Sequence, residues 1–233
     1  MISRNMSYNP DYLNRFAMML TDEQLHKLTS TRIVIFGVGG VGSAVAHFLV
    51  RSGIQHLGVV DFDTIDVTNI NRQLVAYQSN IGASKVNELA KQLKDINPDL
   101  ELDVHQIRYV PDMEFDFGRY DMIVDCIDDM KAKQDLIIKS RVHNIYMLSA
   151  MGAGNRYEDI PAFEIADIHK TSYDPIAKIL RKFCVANGIK KLDVCYTKQK
   201  ALKFDCKTIG SVVYYPVNMA TVMCAKIINR IVK

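Results

Sequence analysis

The chain has no run of about 20 apolar residues, no C-x-x-C pair and no apolar segment behind its first residues. Its longest uncharged stretch, Thr208 to Ala225, is broken by Ser211, Pro216, Asn218 and Thr221, so no membrane partner is expected. The opening residues MISRNMSYNP hold no secretory h-region, and the chain reads as cytoplasmic. Five widely spaced cysteines (Cys126, Cys184, Cys195, Cys206, Cys224) argue against a disulfide framework or a structural zinc site. Cys195 and Cys206 are accordingly read as ordinary thiols rather than nucleophiles. Only 12 glycines and six prolines occur in 233 residues, 48% of them hydrophobic and 24% charged, which excludes collagen, coiled coil and disorder.

What is present is a globular composition with its charge unevenly placed. Met1 to His169 holds 16 basic against 23 acidic residues, whereas Lys170 to Lys207 holds 10 against 3. A basic segment on an acidic body suits a polyanionic partner, with a solvated lysine face as the plain alternative.

The first half alternates apolar runs with helical periodicity, the pattern of βαβ units. Strands are expected at Ile33–Phe36, Leu57–Val60, Leu102–Ile107, Met122–Cys126, Ile145–Ser149 and Phe163–Ile168. Helices are expected from Val41 to Arg51, through Val86–Leu93, through Leu136–Ile138, after Asp174-Pro175 and from Pro216. In the Asp174-Pro175 helix, Ile176, Ile179, Leu180 and Phe183 should turn inward, leaving Lys178, Arg181 and Lys182 mainly outside. The fold class is α/β: a Rossmann-like, mostly parallel sheet with flanking helices, plus a C-terminal α+β elaboration.

Gly37-Val-Gly39-Gly40-Val-Gly42 follows a strand and opens a helix, the context in which glycines let phosphates approach a helix amino terminus. Ser43-Ala44 stand where a Walker A loop needs Lys-Ser/Thr, and the glycines alone leave NAD, FAD and ATP open. Asp61, at the end of the next strand, stands where a Rossmann acid holds ribose hydroxyls. Asp63 and Asp66 crowd the same loop, and Asn69, Arg72, Gln73 and Lys85 follow. So many polar groups exceed what a dinucleotide needs; they suit a triphosphate, with carboxylate near Mg²⁺ and cations neutralising departing pyrophosphate. Asp128, in Asp125-Cys-Ile-Asp128-Asp129, is the candidate metal-side carboxylate, with Asp125 structural and Asp129 a helix cap.

Taken together, Gly37–Ser43, Asp61-Phe-Asp63, Asn69-Ile-Asn-Arg-Gln73, Lys85 and Asp125–Asp128 resemble the ubiquitin-activator-like adenylating enzymes. That group includes the molybdopterin-synthase and thiazole-biosynthesis adenylyltransferases. The resemblance implies a homodimer that binds ATP and Mg²⁺ and adenylates a carboxylate. It places ribose on Asp61, phosphates on Asn69, Arg72 and Lys85, and Mg²⁺ and catalysis on Asp128; Asp63 and Gln73 fall within the same motifs. Asn14-Arg15-Phe16 resembles the motif whose arginine reaches the partner subunit's ATP. Further on, Met151–Arg156, Ala166–Thr171, Asp174–Arg181, Gly188–Lys191 and Gly210–Pro216 are similar to the tRNA threonylcarbamoyladenosine dehydratases. Those enzymes activate a threonyl carboxylate beside the tRNA anticodon and close it into a ring. Lys178, Arg181 and Lys182 then become candidate tRNA phosphate contacts, and Tyr173, Tyr196 and Phe183 candidate stacking rings beside the plainer expectation of burial. No DNA partner is implied, and a sulfur-relay protein is a further candidate partner. Gln199 departs from the family's glutamate, which bears on substrate positioning.

The expected organisation is a helical arm at 1–30, an ATP-binding core at 31–155 and a basic substrate-binding elaboration at 156–233, packed as one domain. The rival functions are an adenylyltransferase for a ubiquitin-like sulfur carrier, a non-catalytic RNA-binding scaffold and an NAD dehydrogenase.

Overall fold

A computed structural model describes residues 11–205 and 208–233. Cys206 and Lys207, the end of the basic segment, lie outside the described residues. Near the start of the described residues lie two helices, α1 (Asn14–Ala17) and α2 (Asp22–Ser30), the second started by a capping box between Thr21 and Gln24. Seven strands follow: β1 (Arg32–Phe36), β2 (His56–Val60), β3 (Glu101–His105), β4 (Met122–Asp125), β5 (Tyr146–Ala150), β6 (Phe163–Asp167) and β7 (Asp193–Thr197). They form one sheet in the order β3-β2-β1-β4-β5-β7-β6, parallel throughout except for the β6–β7 pair. The α/β class with a mostly parallel sheet is as expected.

Strand β1 shows why the layers form. Ile33, Val34, Ile35 and Phe36 are all fully buried, and their alternation feeds two cores. Ile33 and Ile35 pack with α2, α3 (Gly42–Arg51), α4 (Lys85–Ile96) and α7 (Tyr214–Val232). Val34 and Phe36 pack with α5 (Met130–Val142) and α6 (Pro175–Ala186) on the other face. Because β1 lies between β2 and β4, the chain leaves it toward opposite edges. A crevice opens at the carboxyl ends of β1 and β4, the usual ligand position in such sheets. Among the described residues no helix is long and apolar enough to cross a membrane.

Element boundaries differ from expectation in informative ways. Strand β3 stops at His105, and Ile107, Arg108 and Tyr109 leave the sheet to wall the crevice. Helix α7 begins two residues before Pro216, which its first turn accommodates because no backbone donor is needed there. In α6, Asp174 caps as expected, accepting from the Ala177 amide at 2.9 Å. Ile179 does not turn inward: it is 48% exposed. The buried line is Ala177, Leu180 and Cys184; at about 100° per residue only Arg181 falls on its flank, while Ile179 and Lys178 lie well round the helix on either side and Lys182 points directly away. Arg181 is half-buried and its Nε has no hydrogen-bond partner among the described residues, so of the three basic residues only the two lysines are exposed.

Candidate active site

The crevice is a cleft of about 540 Å³. The glycine loop forms its floor. Gly37 has φ of 84°, and a Cβ there would lie 2.7 Å from the Cys126 carbonyl oxygen. Gly42 is not part of the wall, but a Cβ on it would strike the Gly37 carbonyl oxygen at 1.8 Å, so its role is to let the loop close onto α3. Gly39 and Gly40 line the cleft beside Gly37, ahead of the amino terminus of α3.

At the end of β2, Asp61 is fixed by two backbone donors, Val38 N to Oδ2 at 2.8 Å and Asp63 N to Oδ1 at 2.9 Å. Its carboxylate is thereby held facing the loop with lone pairs to spare for hydroxyl donors. Asp63 pairs with Lys85 at 2.8 Å; the lysine, first residue of α4, is only 7% exposed. Asp66 does not join them, correcting the expectation of three clustered carboxylates. It caps the short turn Val67–Asn69, and the Thr68 hydroxyl and amide hold its carboxyl below the usual range. That turn buries Asn69 and leads to Arg72, whose Nη1 donates to the Thr68 carbonyl at 2.7 Å. Gln73 lines the same wall, its buried Oε1 without a hydrogen-bond partner among the described residues.

Across the cleft, β4 ends in a buried charge pair. Asp125 is fully buried, accepts from Lys133 Nζ at 2.6 Å and from the Ser149 hydroxyl, and takes the Ile127 amide at 3.2 Å. It is structural, anchoring the turn that carries Asp128 into the cleft. Asp128 is exposed there and has no hydrogen-bond or ion-pair partner among the described residues. Asp129 caps α5 through the Lys131 and Ala132 amides. Cys126 also lines the cleft, but burial pushes its thiol up, away from nucleophilic use. Cys195 is buried outside the lining, pushed up to about 12 by desolvation.

Two parts of the cleft lie partly within the quoted motifs but have no role assigned by them. Phe62, Ile107, Arg108 and Ile127 make a half-apolar end, with the Arg108 guanidinium 4.4 Å from the Phe62 ring centroid. The only sequence cue for Arg108 is its place just beyond the carboxyl end of a strand. At the other end Gly154, Ile209, Ser211 and Pro216 close over the glycine loop, and Asn71 Nδ2 donates to the Ser211 carbonyl at 2.9 Å. Gln199 lies behind this wall. Its Nε2 donates to the Ile160 carbonyl at 2.8 Å while Oε1 accepts from the Ala162 amide at 3.2 Å, a two-way pattern that a carboxylate could not satisfy.

The structure therefore brings together Gly37, Gly39, Gly40, Asp61, Asp63, Asn69, Arg72, Gln73, Lys85 and Asp128. It does not bring Arg15, which is exposed on α1, nor Lys178, Arg181 and Lys182 on α6. No group of three or more His, Cys, Asp or Glu among the described residues could hold a metal unaided.

Comparison with known proteins gives a consistent picture. The profile of the ThiF family matches residues 12–231. The tRNA threonylcarbamoyladenosine dehydratase of Bacillus subtilis is 38% identical over 181 residues, covering 76% of this chain and 70% of its own. That of Escherichia coli is 30% identical over 212 residues, covering 90% and 77%. A crystal structure of the E. coli tRNA N6-threonylcarbamoyladenosine dehydratase in complex with ATP superposes with a TM-score of 0.87 at 26% identity, covering 94% of this chain and 93% of that one.

Proposed function

The chain belongs to the ThiF family and to its tRNA threonylcarbamoyladenosine dehydratases, and from that premise we propose how its cleft carries out the reaction. It is an ATP-dependent enzyme that adenylates the threonyl carboxylate of threonylcarbamoyladenosine in tRNA and then drives dehydrative ring closure. The carboxylate oxygen bonds to the α-phosphorus as the α–β bridging bond breaks and pyrophosphate leaves. An atom of the same threonylcarbamoyl group then attacks the activated carbonyl, and AMP departs. The net change in the nucleoside is the loss of one water.

The observation that carries the residue assignments is the convergence of Asp61, Arg72, Lys85 and Asp128 on one cleft over the glycine loop. Asp61 holds the ribose, and the half-apolar end at Phe62 and Ile127 takes the adenine. Loop amides, the positive end of α3, Asn69 and Gln73 hold the phosphates. Arg72 and Lys85 meet the negative charge that grows as pyrophosphate departs, Lys85 being aimed by Asp63. An unpartnered, exposed carboxylate beside a triphosphate is the hard oxygen donor that Mg²⁺ takes, so Asp128 is the residue assigned to hold it. When bound, that ion would neutralise phosphate charge. The active form is a homodimer: α1 carries exposed Arg15, with Met18 and Met19 exposed just after it, and Arg15 of the partner subunit completes each site.

The test is direct. Incubation with ATP, Mg²⁺ and tRNA carrying threonylcarbamoyladenosine is expected to lower the nucleoside mass by about 18 Da, one water, with AMP and pyrophosphate formed in step. An unchanged mass overturns the reading. ATP–pyrophosphate exchange stimulated instead by a diglycine-tailed protein would favour the sulfur-carrier alternative.

Lys178 and Lys182, outward on α6, are assigned to tRNA phosphates. Changing both to Gln is expected to flatten the dependence of log K on log salt by about 1.5 to 2, while ATP affinity stays unchanged. Identical slopes for wild type and variant in a salt titration would remove α6 from the tRNA surface.

A further inference from the structure

Of the three rings with a nominal claim to stack on bases, Tyr196 is buried and Phe183 half-buried against the core. Tyr173 is different in three respects. It is 66% exposed. Its backbone sits at φ of 58°, a conformation that bulky side chains rarely adopt, and the exposed ring gains little packing in return. The Lys200 ammonium lies 5.5 Å from its centroid.

Its position relative to the cleft is also fixed. The next residue, Asp174, spends one carboxylate oxygen on the α6 cap and the other on the Gly152 amide at 3.1 Å. Gly152 begins the loop whose Ala153 and Gly154 wall the cleft. Arg156 braces the same loop, donating to the carbonyls of Gly152 at 3.1 Å, Gly154 at 3.0 Å and Gln199 at 2.9 Å. Tyr173 and Lys200 are thus each next in sequence to a residue bonded to this loop, Tyr173 to Asp174 and Lys200 to Gln199. The neighbouring Lys198 is neutralised by Glu164 at 2.8 Å, whereas Lys200 has no carboxylate partner among the described residues.

We propose that Tyr173 and Lys200 form a stacking seat for an unpaired RNA base flanking the modified adenosine, the ring taking the base face and the lysine its phosphate. The seat rests on the tRNA reading above. Single-stranded segments are recognised by stacking on exposed aromatics beside cations, and a duplex, whose bases are already stacked, cannot use such a seat.

The experiment compares two fluorescein-labelled RNAs by anisotropy: an anticodon stem–loop carrying the threonylcarbamoyl adenosine, and a blunt duplex with equal phosphates. Tyr173→Asn removes the ring while tolerating the left-handed backbone, so folding is preserved. It is expected to weaken stem–loop binding on the order of tenfold and leave duplex and ATP binding unchanged. Tyr173→Phe keeps the ring and should bind like wild type. Lys200→Gln should flatten the stem–loop salt dependence by about 0.7. Unchanged stem–loop binding by Tyr173→Asn, or an equal loss on the duplex, overturns the seat even where wild type dehydrates the tRNA. A wild type that leaves the tRNA mass unchanged and binds both RNAs equally overturns the tRNA reading and the seat with it.

Discussion

Lys85→Ala is expected to lose adenylation on the order of 10²-fold or more while ATP binding changes little, to be checked by pyrophosphate release against equilibrium dialysis of ATP. The separation follows from where charge changes. In the proposed arrangement ground-state ATP is held by the glycine loop, Asp61 and the half-apolar end, whereas the extra negative charge of the leaving pyrophosphate appears only as the bond breaks. A buried ammonium aimed by Asp63 and enclosed by the cleft meets that charge at low dielectric, where each contact is worth most. Folding should survive the change, because the abandoned partner, Asp63, is half-exposed and can be hydrated. Arg72→Ala should behave alike, and Asp128→Asn should impair turnover more than ATP affinity. Near wild-type turnover in all three would remove the triphosphate assignment. The same variant tests the dimer. Mixed with Arg15→Ala, it is expected to form heterodimers with one intact composite site and one doubly damaged site. An equal mixture should therefore recover about a quarter of wild-type activity. No recovery with subunit exchange verified would count against an arginine acting across the dimer.

How legible this site is from sequence depends on how local each signal is. The strand–glycine loop–helix unit and Asp61 can be read because each is announced by its own neighbours, an apolar run followed by residues that only a turn needs. Asp129 and Asp174 are legible as caps for the same reason. Phe62 is hidden between two acids that draw the attention, and Arg108 has no cue beyond its place just after a strand. The closing wall is less legible still, because Asn71 and Ser211 meet across 140 residues and no period connects them. On α6 the ambiguity is geometric. The stripe Ile176, Ile179, Leu180 and Phe183 is rotated by roughly 80° from the line that is buried, which leaves Ile179 outside and brings Arg181 onto the flank, so the arginine is the more buried. Gln199 marks a further limit, because a glutamine in place of a family glutamate looks like lost chemistry until both ends of its amide are seen bonded to backbone.

Lys133→Met is expected to be the most destabilising single change near the site, by about 3–5 kcal/mol in urea unfolding, because it strands the Asp125 carboxylate without a counter-charge in a fully buried position. The pair's net worth is much smaller than that figure, since both ions gave up water to reach the interior. A second variant separates the two quantities. Adding Asp125→Asn removes the stranded charge while keeping an acceptor for the Ile127 amide and a partner for the Ser149 hydroxyl, so the double variant should regain most of the loss. A double variant as unstable as the single one would mean that Lys133 matters through packing of its stem rather than through charge. The functional consequence follows from geometry: Asp125 fixes the turn after β4, and that turn presents Asp128 to the cleft. The single variant should therefore lose turnover even at temperatures where it stays folded, with ATP affinity held by the far wall. The double variant, with the turn re-anchored, should recover turnover in proportion to stability. If turnover in Lys133→Met falls no further than its folded fraction, the pair supports the fold alone and has no part in aiming Asp128.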